Sequence, residues 1–506
     1  MDVYGIDLGT TYSCVAQINP IDKLPEVVRN DVQMQTTPSV VYFDDIADPL
    51  VGQMAKNSMR QDPTHAVAFI KREMTNPKYH RIIGQNSINP VNISAMILKK
   101  VVDDANLLRC SNNQPPIKDV VITVPAYFNN DARVLTRQAG EIAGLNVLDL
   151  LNEPTAAALS YGMNDLNGKT FMIYDLGGGT FDVSIMRMSN NGLETLSTEG
   201  DHHLGGVDWD SIIVDYILTK IHSNETYTDI KDSRDGGELI LRAEDCKQLL
   251  SVQEQAPIKF RYKGRINTEF VSRNVFEELT ADLLERTINI VRMAISKSTA
   301  EIKHIDDIIL VGGSSRMPMV KRRLQREFPN TNIRLDAYEP DLAVAKGAAI
   351  HAYNLANKPV APKVKLVKDL STRSYGIKCE DENTKVLKIQ NLLLRTDPLV
   401  TTSTKYFQTS ADDQSSVDIT IYENTSVKAE ISLEEGMKKY SKILSWGYNV
   451  PKATPVTAHV DRGSDGIVHI VVECQNKEVR FDLKPEMALS DDEVDFQKRR
   501  LSHIQL

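Results

Sequence analysis

Tyr4-Gly5-Ile6-Asp7-Leu8-Gly9-Thr10-Thr11 and Ile173-Tyr174-Asp175-Leu176-Gly177-Gly178-Gly179-Thr180 are two versions of one pattern. In each, a short apolar run ends on an acid, a Gly–Thr turn follows, and a second apolar run resumes (Tyr12 to Ile18; Phe181 to Ile185). This reads as strand, turn and returning strand. The glycines let backbone N–H groups approach an anion with no Cβ in the way, and the threonine hydroxyls add donors. The acids Asp7 and Asp175 can orient the water shell of a magnesium ion, which keeps several of its waters. One such turn is ordinary. Two with matching acids would grip a polyphosphate from both sides.

Working outward, residues 1–355 alternate β-branched strands with helix-like stretches, the pattern of an α/β domain. Val120–Val124, Thr170–Tyr174 and Asp307–Val311 are strand candidates; Ile93–Leu98 with its continuation and Leu279–Ile295 are helix candidates. A third glycine turn, Val311-Gly312-Gly313-Ser314-Ser315-Arg316-Met317-Pro318, leads from a strand into a helix. It either passes under a nucleoside, with Arg316 covering a base face, or is an ordinary strand–helix loop. Gly162 to Thr170 imitates a phosphate loop, but it has the wrong glycine spacing and precedes a strand. It reads as a hairpin turn with a solvated Lys169.

Residues 356–369 carry prolines and lysines and suit an inter-domain linker. From 370 to 485 the apolar period becomes two: Val417, Ile419 and Ile421 alternate with Asp418 and Thr420, and Asp465-Gly466 reads as a turn into a strand. A β-sandwich or β-barrel fits. Residues 486–506 form a short C-terminal helical tail opened by the capping box Ser490-Asp491-Asp492-Glu493, marginal unless it packs on something. The fold class is therefore α/β followed by all-β.

The chain has 506 residues, enough for roughly three domains or lobes. Its 59 basic and 68 acidic side chains leave a formal charge of −9, which argues against a coat for nucleic acid. With 41% hydrophobic and 25% charged residues it is not a disordered chain. Five cysteines without CxxC spacing suit reduced thiols. A strand candidate almost at Met1 leaves no room for a signal peptide, and no apolar stretch is long enough for a membrane span. The expectation is a cytoplasmic protein with no membrane partner. His202-His203 invites a metal reading, but with no further ligand cluster the pair reads as solvated or hydrogen-bonded histidines.

Five segments together resemble the heat shock protein 70 family of molecular chaperones (DnaK type): Asp7–Val15, Val124–Phe128, Asn152–Ala158, Asp175–Asp182 and Val311–Arg316. The resemblance implies an actin-like (ribonuclease H-like) two-lobed ATPase, a β-sandwich that binds peptides, and a helical lid. It also implies ATP/ADP and Mg2+ as cofactors, with potassium as a candidate further ion. Gly9, Thr10, Thr11, Tyr12, Gly177, Gly178, Gly179 and Thr180 would hold phosphates. Asp7, Asp175, Glu153 and Asp182 would order magnesium, its waters and the attacking water, with Asp7 and Asp175 reaching the metal through water. Lys71 would be the catalytic lysine. Glu244, Lys247, Ser251, Gly312, Gly313, Ser314, Arg316 and Asp341 match the adenosine site, and Pro125 and Arg133 would relay nucleotide state toward the linker. Ile377, Phe407, Val417 and Ile419 are either the peptide cleft or ordinary sandwich core.

The sequence departs from that family at identifiable places. Gln248 stands where an arginine stacks on adenine, which costs about 0.5–2 kcal/mol of cation–π contact. Val207 stands where an acid is usual. Asp149 replaces an arginine on the face expected to meet a J-domain co-chaperone, and there it would repel an acidic loop. The candidate linker Val364–Asp369 is basic, and the chain ends where the lid would begin, so fast client release is expected. The resulting reading is an ATP-dependent chaperone for unfolded or extended polypeptides, with J-domain and nucleotide exchange factor partners in doubt. The rivals are an ATP-binding co-chaperone or exchange partner with little turnover, and a small-molecule kinase, against which the β-rich region 370–485 speaks.

Overall fold

Val3–Asp7 lies between a parallel neighbour, Asp119–Val124, and an antiparallel one, Tyr12–Ile18. In this computed structural model the described residues are 2–44, 48–76, 78–79, 81–84, 86–111, 113–161, 166–190, 192–335, 339–356, 366–381, 383–485, 487–504 and 506. The first sheet runs Asn146–Asn152, Asp119–Val124, Val3–Asp7, Tyr12–Ile18, Pro25–Val28. Its first three strands are parallel and the last two antiparallel. A second sheet repeats the layout with Asn332–Arg334, Asp307–Val311, Thr170–Leu176, Phe181–Ser189 and Gly192–Asp201. The repeated sequence pattern is thus the centre of a duplicated arrangement.

Strands covered on both faces read as continuous apolar runs, and Val120, Val121, Ile122 and Val124 are all fully buried. The helix Ala343–Ala356 packs so closely that a Cβ on Gly5 would overlap the backbone of Ala348 and Ala349. A Cβ on Gly347, in the same helix, would strike the backbone of Ala156 in Glu153–Tyr161. The helix expected over Leu279–Ile295 is two helices, Arg273–Leu279 and Ala281–Ser296. Thr280 divides them: its hydroxyl donates to the Phe276 carbonyl at 2.8 Å, a back-bond that bends helices. Lys169 is not simply solvated, because its amine pairs with Asp307 at 2.8 Å; Gly162 to Asp165 lie outside the described residues.

Contacts divide the chain into two compact units, Met1–Pro125 with Leu135–Lys365 and Leu489–Leu506, and Ala126–Val134 with Leu366–Ala488. In the second unit, one sheet runs Glu430–Ser432, Leu387–Leu393, Ser374–Glu380, Gln414–Asn424, Met437–Val450. The other runs Thr401–Gln408, Pro455–Arg462, Val468–Cys474, Lys477–Asp482. Ile377, Ile421 and Trp446 from one sheet share a core with Val460, Ile470 and Phe481 from the other, so the two form a sandwich. Thr420, expected to face outward, is buried, with its hydroxyl 3.0 Å from that of Ser441. Gly466, at φ 75°, makes the expected turn into Val468–Cys474. Asn130 belongs to this unit: its side-chain oxygen accepts the Val468 N–H at 2.9 Å and its amide donates to the Leu483 carbonyl. Arg133 is buried here too and donates to the Asp465 carbonyl at 3.1 Å.

The C-terminal helix Asp491–Ser502 carries the expected capping box, with Ser490 and Glu493 bonding each other's backbone N–H. It is not left alone: Val494 and Leu501 are buried, and in the first unit Gln138 donates to the Leu489 carbonyl at 2.7 Å and accepts its N–H at 3.1 Å. Most of the candidate linker, 357–365, lies outside the described residues. No described helix is long and apolar enough to cross a membrane.

The Gly347 crossing has a measurable consequence. Gly347→Ala should lower the urea midpoint at unchanged slope, by about 1–3 kcal/mol of overpacking strain.

Candidate functional site

The two glycine turns meet. A Cβ on Gly178 would overlap the side chain of Thr11, and one on Gly179 that of Thr10. Each turn is also anchored from behind. In the first, the Ser39 hydroxyl donates to the Gly9 carbonyl at 2.8 Å and the Ser39 N–H to the Thr11 carbonyl at 2.8 Å. In the second, the start of the helix Gly206–Lys220 reaches in: the N–H groups of Gly206 and Val207 donate to the carbonyls of Gly177 (3.0 Å) and Gly178 (2.8 Å). A trans peptide points C=O and N–H in opposite directions, so carbonyls pulled back turn the following amides toward the cleft.

That cleft has a volume of about 770 Å³, within the usual size of a small-ligand site. Asp7, Lys71, Glu153, Asp175 and Thr180 line one end. Glu244, Lys247, Gln248, Ser251, Arg316 and Asp341 line the other. Lys71 sits in the 3-10 turn Ile70–Glu73, is buried, donates to the Leu8 carbonyl at 2.6 Å, and pairs with Glu153. Glu153 opens its helix, where the positive end of the macrodipole favours a carboxylate.

Burial, reinforced by the Glu153 carboxylate, pushes Asp7 up to about 7, against the pull of Lys71 and a hydrogen bond from Thr123. Burial, Glu153 and Asp7 drive Asp175 well above the usual carboxylate range. Asp175 and Glu153 are buried, Asp7 is partly exposed, and the three share one amine, so ionising all of them would leave uncompensated negative charge. Oxygen donors of this kind fit a hard, hydrated cation held through water. No group of three or more His, Cys, Asp or Glu forms a direct metal cage among the described residues, and His202 and His203 are exposed.

At the other end, Lys247 donates to the Gly206 carbonyl at 2.8 Å and pairs with Asp210 at 2.7 Å. The Ser251 hydroxyl donates back to the Lys247 carbonyl at 3.3 Å. Gly312, at φ 81°, has a left-handed backbone that favours glycine, and it lies against the Leu176 carbonyl. Arg316 is held by Asp341 at 2.7 Å. Gln248 is exposed beside Glu244, and Val207 faces the cleft with nothing in its surroundings to account for it. Asp182 is buried and pairs across the hairpin with Asp175.

Two residues escaped the sequence reading. Lys56, from the helix Gln53–Met59, bonds the Tyr12 hydroxyl at 2.8 Å and Glu244 at 2.7 Å, bridging the two halves over the cleft. Asp210 is the buried partner of Lys247. Neither carries a local sequence signal.

Asp149 requires a correction. It is buried, not presented to a partner, and its carboxylate meets the His351 ring at 2.8 Å, so it offers no exposed charge to repel an acidic loop. In the second unit, Ile377 and Ile419 are buried core residues, while Phe407 and Val417 lie half-buried against the same core.

A family model described as "Hsp70 protein" matches residues 3–80 and 75–501. Among curated relatives, a "Chaperone protein DnaK" of Halobacterium salinarum is 35% identical over 508 aligned positions, covering 97% of this chain and 76% of that protein. Another "Chaperone protein DnaK", from Thermotoga petrophila, is 36% identical and covers 97% and 82%.

The acids predict a proton linkage. Because the folded chain holds the Asp7 proton up to about 7, above its ordinary 3.8, stability without nucleotide should fall as pH rises from about 4 to about 7 and level off above that. A cation needs the ionised acids, so binding MgADP near neutrality should release protons, read from titration heats in two buffers. Asp7→Asn should shrink both effects.

Proposed function

The chain belongs to the Hsp70 family, and from that premise we propose an ATP-dependent molecular chaperone whose first unit hydrolyses MgATP slowly and whose β-sandwich binds extended polypeptide segments. The observation that carries the proposal is the contact of the two glycine turns, with amides directed into a cleft that ends in buried acids and one buried amine. Magnesium, when bound, would be held through water by Asp7 and Asp175 and would offset the charge of the phosphates.

The protein's own groups do the rest. Backbone amides of both turns, with the hydroxyls of Thr10, Thr11 and Thr180, bind the phosphates in fixed positions. Lys71, already desolvated, holds the attacking water and offsets charge gathering on the transferring phosphoryl group. Glu153 and Asp182 orient that water, while Asp7 and Asp175 hold the cation's hydration shell. Arg316 covers the base on one face, and Glu244, Lys247 and Ser251 contact the nucleoside. Gln248 on the facing side makes a one-sided grip and a looser nucleotide.

In the sandwich, Phe407 and Val417 are the cleft residues still reachable by a client; Ile377 and Ile419 support them from the core. The weaker base grip also favours a second reading, in which ATP is a structural ligand of a co-chaperone with little turnover.

Three measurements separate these readings. Lys71→Ala should cut single-turnover hydrolysis by roughly a hundredfold or more while MgADP still binds; an unchanged rate would favour the co-chaperone. Gln248→Arg should tighten MgADP about two- to thirty-fold. Peptide affinity of the full chain should differ between ATP and ADP, and equal affinities would count against coupling.

A further inference from the structure

Behind the second phosphate turn, the helix Gly206–Lys220 holds the carbonyls of Gly177 and Gly178. The third carbonyl, that of Gly179, is held by a side chain from the other half of the unit: Arg72 donates its Nε–H to it at 2.6 Å. Arg72 follows Lys71 in the turn Ile70–Glu73, which starts from Phe69 in a left-handed conformation (φ 59°). Its Nη2 donates to Asp208 Oδ2 at 2.7 Å, with Nη1 at 3.4 Å from Oδ1. The same Asp208 oxygen accepts the Gly205 N–H at 2.7 Å and so caps the helix that holds the turn. The Arg72 side chain is 12% exposed, and it does not line the cleft.

We propose that Arg72 is a positioning residue for phosphoryl transfer, one that aims the Thr180 amide and sets the second turn in register with Lys71. The inference rests on the ATPase reading above. The Gly179 carbonyl and the Thr180 N–H share one planar peptide and point in opposite directions. A donor fixed on the carbonyl therefore orients the amide without touching substrate. The guanidinium is suited to this because its fork reaches a carbonyl and a carboxylate together, whereas an ammonium is a single point charge. Lys71 and Arg72 are adjacent on one tight turn, so the lysine is placed against Glu153 and the opposing turn against the arginine by the same short piece of backbone.

The full chain should be compared as wild type, Arg72→Gln and Arg72→Lys in three measurements: single-turnover hydrolysis at saturating MgATP, MgADP affinity, and amide hydrogen exchange of the segment 178–181 without nucleotide. A loss on the order of ten- to a hundredfold in hydrolysis is expected for Arg72→Gln, as for a misplaced reacting group, with MgADP affinity within about threefold of wild type. Exchange at 178–181 should speed up. Arg72→Lys keeps the charge opposite Asp208 but loses the Gly179 bond, so it should recover thermal stability without recovering rate; it also serves if Arg72→Gln fails to fold. Wild-type hydrolysis by Arg72→Lys would overturn the inference, as would a parallel fall in rate and affinity for Arg72→Gln. Unchanged exchange at 178–181 would overturn it without reference to hydrolysis. A wild-type chain that binds MgATP but never hydrolyses it would instead defeat the ATPase reading.

Discussion

Where Gly178 and Gly179 come against the side chains of Thr11 and Thr10, the two turns approach more closely than a Cβ on either glycine would permit. Much else in the first unit serves that approach. The duplicated sheets bring two hairpins to equivalent positions. The helix Ala343–Ala356, pressed against Gly5, fixes the strand from which the first turn springs. On the other side, the helix Gly206–Lys220 anchors the second turn through its own unsatisfied N–H groups, which would otherwise need caps. A helix end and a loop thus complete each other's hydrogen bonding.

The electrostatics follow from the same geometry. Carboxylates at the ends of facing strands must be buried once the turns meet, and burial with like charges nearby disfavours ionisation. One amine cannot balance three acids. Lys71 is committed to Glu153, which leaves Asp7 and Asp175 the groups most in need of an external positive charge. Removing either member of the Lys71–Glu153 pair alone would strand a buried charge, a penalty of about 3–5 kcal/mol. The way the sheets end therefore leaves two closely spaced carboxyl groups whose oxygens suit a hard cation.

What could be read from the sequence was local. Asp307–Val311 is a strand with the expected bounds, because an unbroken apolar run flanked by a charge and a glycine pair needs no distant partner to be recognised. The two acid–Gly–Thr turns were legible for the same reason. Partnerships across long sequence separations were not. Asp149 looked like a surface charge until His351, 202 positions away, covered it. Lys56 is an unremarkable lysine on a short helix, and only the folded chain brings it to Tyr12 and Glu244. Thr280 gave no warning that it would divide a helix, since the apolar period runs through it and only its hydroxyl interrupts the geometry.

The Gln138–Leu489 pairing places an unusual constraint on how the C-terminal segment can drift over evolutionary time. Gln138 imitates a neighbouring strand, giving one donor and one acceptor to the main chain of residue 489 and ignoring its side chain. Position 489 can therefore change identity freely by this contact, proline excepted, because proline has no N–H to give. Position 138 has no such freedom. Glutamate would lose the donor, lysine the acceptor, and asparagine would fall one methylene short, so purifying selection should concentrate on the residue that reads the backbone and spare the one being read.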